Sequence, residues 1–160
     1  MALTTLGNTA FSTSAVVSAT NKDSAVVYNK LDANTAHIDR NQTITGRNSY
    51  SAAQRGTISA LGVQTSTVTL DMNTANHFSL TANGNITLAN PSNIAAGQGG
   101  SIVITANGSY TTSFGSQWRF ATGTAPTMST TAGKQDRLDY YVVSSNTIHT
   151  VATIDLLGTA

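Results

Sequence analysis

The sequence predicts an all-β protein, either an antiparallel β-sandwich or a jelly-roll-like barrel, and three observations predict it. Thr, Ser and Asn supply 27, 17 and 14 of the 160 residues, and thirteen Gly accompany them, a composition that suits strands and tight turns. Charged residues make up only 9%, and all seven acids are Asp, so the Glu and Lys that cover exposed helix faces are scarce. Apolar and polar residues alternate at period two in the second half of the chain, as in half-buried strands.

Length and charge exclude several classes of protein. A chain of 160 residues forms one domain of ordinary size or two small ones. The net charge of +1 without a run of like charges gives no long-range attraction to nucleic acid or to a membrane surface. The absence of Cys removes disulfides and thiolate chemistry. No apolar stretch approaches the length of a membrane span or a signal peptide, so we expect neither nucleic acid nor membrane as a partner.

We expect residues 1–60 to form an extended N-terminal arm that anchors the protein. The tetrapeptide at residues 14–17 recurs at residues 24–27, which indicates two short neighbouring strands around the turn at residues 21–23. Residues 31–55 hold five of the eight charged residues of this arm and few large apolar groups. This stretch is the expected partner-contacting part of the arm.

Residues 61–160 form the expected sandwich body. Two runs alternate strictly and place their apolar members on one face: Val68, Leu70 and Met72 in the first, and Phe78, Leu80, Ala82, Ile86 and Leu88 in the second. Asn83-Gly84 interrupts the second run, and this pair best tolerates the backbone of a type I′ hairpin turn.

A repeat with a spacing of 24 residues joins two parts of the body. Residues 80–87 match residues 104–111, with Thr-Ala-Asn-Gly identical in both. Two stacked hairpins are the simplest interpretation. Residues 136–143 and 147–154 form another pair of strands around a three-residue connection. About seven strands without helical crossovers predict antiparallel pairing, and the period is too irregular for a solenoid.

The sequence contains few side chains that could catalyse a reaction or bind a metal. His37, His77 and His149 show no metal-ligand spacing, and we interpret each as a surface or edge-strand histidine. Asp136 and Asp139 are the only close pair of carboxylates; an odd separation puts them on opposite faces of a strand, so we expect a solvated edge. A Ser/His/Asp triad stays open, because its members can lie far apart in the chain.

Three further features have structural interpretations. The segment Gly97–Ser101 lacks the Lys and the following helix of a phosphate-binding loop and is expected to be a flexible loop before a strand. Trp118 and Phe120 share a strand face and are expected in the core, although a sugar-stacking role for Trp118 is the alternative. Tyr140 and Tyr141 point oppositely, one buried and one at an interface. We therefore predict no catalytic, cofactor-binding or metal-binding residue and no enzyme.

From residue 50 to the end, the chain carries landmarks in a recognisable order. They are Ala53–Leu61, Leu70-Asp71, Asn76–Phe78, Asn85–Pro91, Ala96–Ile104, Phe114–Trp118, Gly123–Pro126 and Asp136–Tyr141. Through these landmarks the region from residue 50 to the end, about two-thirds of the chain, resembles a domain recurrent in virion structural proteins of tailed bacteriophages, among them tail-fibre-like and capsid-associated chains.

The resemblance implies a rigid virion component, made in the cytoplasm of a host bacterium and assembled as a homotrimer. Three roles are consistent with it. The first is a capsid decoration (cement) protein that bridges major capsid subunits; the second is a tail-fibre or receptor-binding component that contacts host surface polysaccharide; the third is a small hydrolase or lectin. The length favours the first role, because a fibre needs an anchor, a shaft and a tip.

Overall fold

The computed structural model describes residue 47 and residues 49–156. Residues 50–156 belong to one compact unit. The strands expected at residues 14–17 and 24–27, the anchoring arm before residue 47 and His37 lie outside the described residues. Strand β1 begins at Ile58, so the last residues assigned to the arm are part of the body.

The described part of the chain contains nine strands and one turn of 3₁₀ helix. The strands are β1 (Ile58–Gln64), β2 (Thr67–Val68), β3 (His77–Ala82), β4 (Ile86–Leu88), β5 (Gly99–Ala106), β6 (Thr112–Phe114), β7 (Trp118–Arg119), β8 (Gln135–Ser144) and β9 (Thr147–Thr153). The 3₁₀ turn spans Ala121–Gly123. The part of the protein that the structure describes is therefore all-β, as the composition predicts.

The strands form two sheets whose pairing is mainly parallel. One sheet has the order β1-β3-β5-β8-β9-β7 and the other the order β2-β4-β6. Strands β1, β3 and β5 are parallel, and so are β2, β4 and β6. Successive strands thus pass from one sheet to the other and back, which stacks three rungs of a parallel coil. The prediction of antiparallel pairing is wrong for this region, and so is the exclusion of a solenoid.

Unequal corners explain why the coil has no regular period in the sequence. The paired residues between successive rungs are Ile58 with His77, Thr67 with Thr87, His77 with Ser101, and Ile86 with Thr112. The offset between these partners varies from 19 to 26 residues. The corners between the strands absorb most of the difference, and a register shift within β1 between Ala60 and Val63 absorbs one residue.

The 24-residue repeat marks two rungs and not two hairpins. Leu80 pairs with Ile104 and Ala82 with Ala106, in parallel register. Strands β3 and β4, which flank Asn83-Gly84, lie in different sheets, and neither Asn83 nor Gly84 has a positive φ. A type I′ turn requires positive φ at both of its central residues, so the hairpin prediction is wrong and the pair forms a corner.

The predicted hairpin near the C-terminus is confirmed. Strands β8 and β9 pair antiparallel, with Val142 opposite Ile148. Strand β8 also pairs antiparallel with β5, and the hairpin therefore extends the sheet beyond the third rung.

One core lies between the two sheets, and the alternation in the sequence correctly identifies its residues. All eight apolar residues assigned to one face, from Val68 to Leu88, are buried. Trp118 is buried too, and its indole Nε1 donates to the carbonyl oxygen of Ala89 at 3.0 Å. Phe120 is partly buried against the same core. The core interpretation is confirmed for Trp118, whereas Phe120 lies after β7 and is buried only in part.

Candidate interaction surfaces

Amide and carboxylate side chains at the corners join one rung to the next. Asn107 Nδ2 donates to Asn83 Oδ1 at 3.1 Å, and Asn93 Nδ2 donates to Asp71 Oδ1 at 2.8 Å. The Asn93 amide, followed by the backbone N–H of Asn73, holds the pKa of Asp71 below its ordinary value, because both donors favour the ionised carboxylate. These polar groups serve the stacking of the coil.

Asp136 and Asp139 lie on opposite faces of β8, as their spacing predicts. Asp136 is buried and accepts hydrogen bonds from the backbone N–H and hydroxyl of Ser129 and from the backbone N–H of Asp155. The prediction of a solvated edge is therefore wrong for Asp136, because β8 is an interior strand of its sheet and Asp136 lies on the core face. Asp139 is on the outer face, where it pairs with Arg137 at 3.0 Å.

Strand pairing places His77, Ser101 and Asp139 in one row across the outer face of the six-stranded sheet. His77 Nδ1 and Ser101 Oγ are 2.9 Å apart. The serine lies between the other two residues, and Asp139 binds Arg137. In a Ser/His/Asp triad the carboxylate orients the histidine, and this row places it on the other side of the serine. In residues 49–156 no three His, Asp, Cys or Glu side chains cluster as metal ligands do.

The segment Gly97–Ser101 differs from its prediction. Strand β5 begins at Gly99, so only Gly97 and Gln98 form the connection before it. Gln98 Nε2 donates to the carbonyl oxygen of Met72 and to Asn76 Oδ1. The side chain of Gln98 thus ties this connection to the preceding rung.

An apolar patch lies on the outer face of the β8–β9 hairpin. Tyr141 and Val143 alternate along β8, and Val151 lies on β9 opposite Asp139. Val151 is therefore the diagonal neighbour of Tyr141, within reach of a large side chain. Their exposed fractions are 53%, 44% and 67% respectively. We call these three residues the outer patch. Tyr140 is buried and Tyr141 exposed, as their opposite directions predict.

A groove of about 420 Å³ runs beside the three-stranded sheet. Strand β6 forms one wall and residues 125–130 form the other. In the described part of the chain β6 pairs with β4 alone, so its other edge faces the groove. Tyr110, Phe114 and Pro126 supply apolar surface, and Thr112, Ser113 and Thr127 supply hydroxyl groups. The groove contains no charged side chain among these lining residues.

The sequence predicted one tyrosine of the Tyr140-Tyr141 pair at an interface, but it did not identify the rest of the outer patch or the groove. The outer patch carries a readable signal, because Tyr141 and Val143 alternate with the buried residues of the same strand. The groove has no comparable signal, since its two walls come from separate segments that approach only when the third rung closes.

Comparisons with known proteins do not assign this chain. No family model, curated protein or solved structure matches it. Within the residues that the structure describes, no helix has the length and hydropathy needed to cross a bilayer.

Proposed function

We propose that the protein is a structural component of a bacteriophage virion, a homotrimeric capsid decoration protein that stabilises the head by bridging major capsid subunits. The outer patch carries this proposal. Three large apolar side chains on a rigid sheet leave a surface that gains free energy when it is covered. Adhesion through such a surface needs no catalysis, cofactor or metal.

Symmetry makes a small patch effective. A trimer presents the same contact three times, and contacts that are weak singly bind strongly when they are linked. A decoration protein that binds across neighbouring capsid subunits stabilises the shell, because it binds the assembled state and not the separated subunits. The resemblance of residues 50–160 to virion proteins of tailed phages supports the same role.

The first experiment measures assembly. Sedimentation combined with light scattering should give a trimer for the full-length chain, and Val151→Asp, which introduces a charge into the outer patch, should stay trimeric, because the patch is the surface that each trimer presents to the capsid. Ser145→Asp is the matched control, because it adds the same charge in the exposed β8–β9 turn. A monomeric wild-type protein would remove the trimer from the proposal.

The second experiment measures the activity itself. Purified protein should restore heat and salt resistance to capsids that lack it, and Val151→Asp should restore less than Ser145→Asp. Failure of the wild-type protein to bind empty capsids would contradict the decoration role, whatever its oligomeric state.

The groove favours a second candidate, a tail-fibre or receptor-binding component that contacts host surface polysaccharide. Aromatic rings stack on the apolar faces of sugars, and hydroxyl side chains pair with their polar groups. Tyr110, Phe114 and the hydroxyl groups of the groove combine both. Binding of purified host polysaccharide, measured by calorimetry, should be lost in Tyr110→Ala and kept in Tyr141→Ala. Loss in the Tyr141 variant alone would exclude the groove as the glycan site.

A further inference from the structure

Two Asn-Gly pairs occupy equivalent corners of successive rungs. Asn83-Gly84 follows β3 and Asn107-Gly108 follows β5, and the same residues, Thr-Ala, precede both pairs. Asn is a chemically labile residue. The nitrogen of the following peptide attacks the side-chain carbonyl carbon, a new C–N bond forms, and the side-chain nitrogen leaves as ammonia. Water then opens the cyclic imide to aspartate or isoaspartate, and Gly hinders the attack least because it lacks a side chain.

Both corners present the groups that this reaction needs. The side chains of Asn83 and Asn107 are exposed. The backbone N–H of each Asn is occupied, since Asn83 donates to Gln64 at 2.8 Å and Asn107 donates to Ala82 at 2.9 Å. The nitrogen of the following glycine has no acceptor among the described residues at either corner, so the attacking atom is free in both.

The corners differ in what covers them. The corner at Gly84 rests on the first rung, where an added Cβ would lie 2.8 Å from the carbonyl oxygen of Thr65. From the other side, Asn83 Oδ1 accepts the hydrogen bond from Asn107. An added Cβ at Gly108 meets only the ring of Tyr110, two residues further along the same corner. Cyclisation must bring the glycine nitrogen to the side-chain carbon, and a corner held between two rungs resists that movement.

We propose that Asn107 is a deamidation site of the folded protein and that Asn83 is protected by its position between rungs. The product changes the surface at a defined place. A carboxylate at residue 107 has no N–H to donate, so the hydrogen bond to Asn83 is lost. Isoaspartate also inserts a methylene group into the backbone three residues before Tyr110, which lines the groove.

The experiment compares the two sites within one molecule. Full-length protein is incubated at mildly alkaline pH below its unfolding temperature, and peptides that contain each site are quantified by mass spectrometry. We expect Asn107 to convert about tenfold faster than Asn83, a ratio that corresponds to about 1.4 kcal/mol of additional restraint at the protected corner. In denaturant the two rates should converge, because the rungs no longer distinguish them. Equal rates in the folded protein, or faster conversion of Asn83, overturn the proposal.

A substitution tests the protection directly. Asn107→Ala removes the hydrogen bond that covers Asn83 and leaves the contact of Gly84 with Thr65. Conversion of Asn83 should therefore accelerate several-fold in this variant, with folding checked by circular dichroism. An unchanged rate at Asn83 would show that the neighbouring rung gives no protection. Ser109→Ala is the control, because it alters the same corner and keeps the hydrogen bond from Asn107 to Asn83.

Discussion

The hydroxyl group of Tyr140 donates a hydrogen bond to the backbone carbonyl oxygen of Asn76, and the two oxygen atoms are 2.9 Å apart. The same carbonyl oxygen accepts from the backbone N–H of Ser101 at 3.1 Å. Asn76 immediately precedes β3, Ser101 lies on β5 and Tyr140 lies on β8. One carbonyl oxygen thus joins the second rung, the third rung and the hairpin that follows them.

Titration of Tyr140 should make the free energy of unfolding depend on pH in the alkaline range. Burial raises the pKa of Tyr140 to about 12 from an ordinary 10.0. The folded state holds this proton more tightly than the unfolded state, so the stabilisation is present below pH 10.0 and is lost as the pH rises towards 12. We expect the denaturation midpoint to fall across this window and to fall less in Tyr140→Phe. At neutral pH, Tyr140→Phe should cost about 1 kcal/mol for one lost hydrogen bond. The exposed Tyr141→Phe is the control and should keep the wild-type pH dependence.

Gly100 leaves the space in which the Asn76 carbonyl group lies. A Cβ at residue 100 would be 1.7 Å from the carbonyl oxygen of Asn76 and 2.8 Å from the Tyr140 hydroxyl oxygen. We expect Gly100→Ala to lower the free energy of unfolding by at least about 3 kcal/mol, because the Asn76 carbonyl group cannot move away without losing its hydrogen bonds from Ser101 and Tyr140. Gly99→Ala is the matched control, since its added Cβ meets its nearest atom at 3.3 Å. Equal costs for the two variants in chemical denaturation would contradict this account of Gly100.

The buried carboxylate of Asp136 organises three segments of the chain. It accepts from Ser129, seven residues earlier, and from the backbone N–H of Asp155 beyond β9. Asp136→Asn should lower the free energy of unfolding by about 2 kcal/mol or more, because an amide NH₂ group must then face a backbone N–H that has lost its acceptor. In the exposed pair, Asp139→Asn should cost less than about 1 kcal/mol. Thermal unfolding of both variants measures the difference, and a smaller cost at Asp136 would oppose the prediction.

Thr122 has a strained backbone. Its φ is 60° inside the 3₁₀ turn, a left-handed conformation that is unfavourable for a β-branched residue. We expect Thr122→Gly to stabilise the protein by about 1 kcal/mol, since relief of strain exceeds the entropy that glycine adds to the unfolded chain. Thr124 has φ −109° and ψ 124°, an extended conformation without strain, so Thr124→Gly should destabilise. A loss of stability in Thr122→Gly, measured by thermal unfolding, would show that its side chain contributes more than the strain costs.

A surface formed within one strand can be predicted from the sequence, whereas a surface formed by segments far apart in the sequence cannot. The outer patch depends on alternation within β8, and the directions of Tyr140 and Tyr141 follow from that pattern. The groove requires Tyr110 and Pro126 to meet across a space that no local pattern describes. The prediction of a solvated edge for Asp136 is wrong for the same reason, because the position of β8 inside its sheet depends on pairing with β5 and β9.

The sequence by itself determined the strand class and the inward-facing side chains. Alternation and the Thr- and Asn-rich composition are local properties, and they assign Val68, Leu80 and Ile86 to the core before any strand has a partner. Only the tertiary structure decided that β1, β3 and β5 run parallel and that the Asn-Gly pairs form corners. Side chains alternate with a period of two in both parallel and antiparallel strands. The hydrogen bonds between strands are made by backbone N–H and C=O groups, which all residues except proline have, so the side-chain pattern does not specify the partner strand. The choice of partner was therefore made by packing across the shared core, with corners of unequal length adjusting the register.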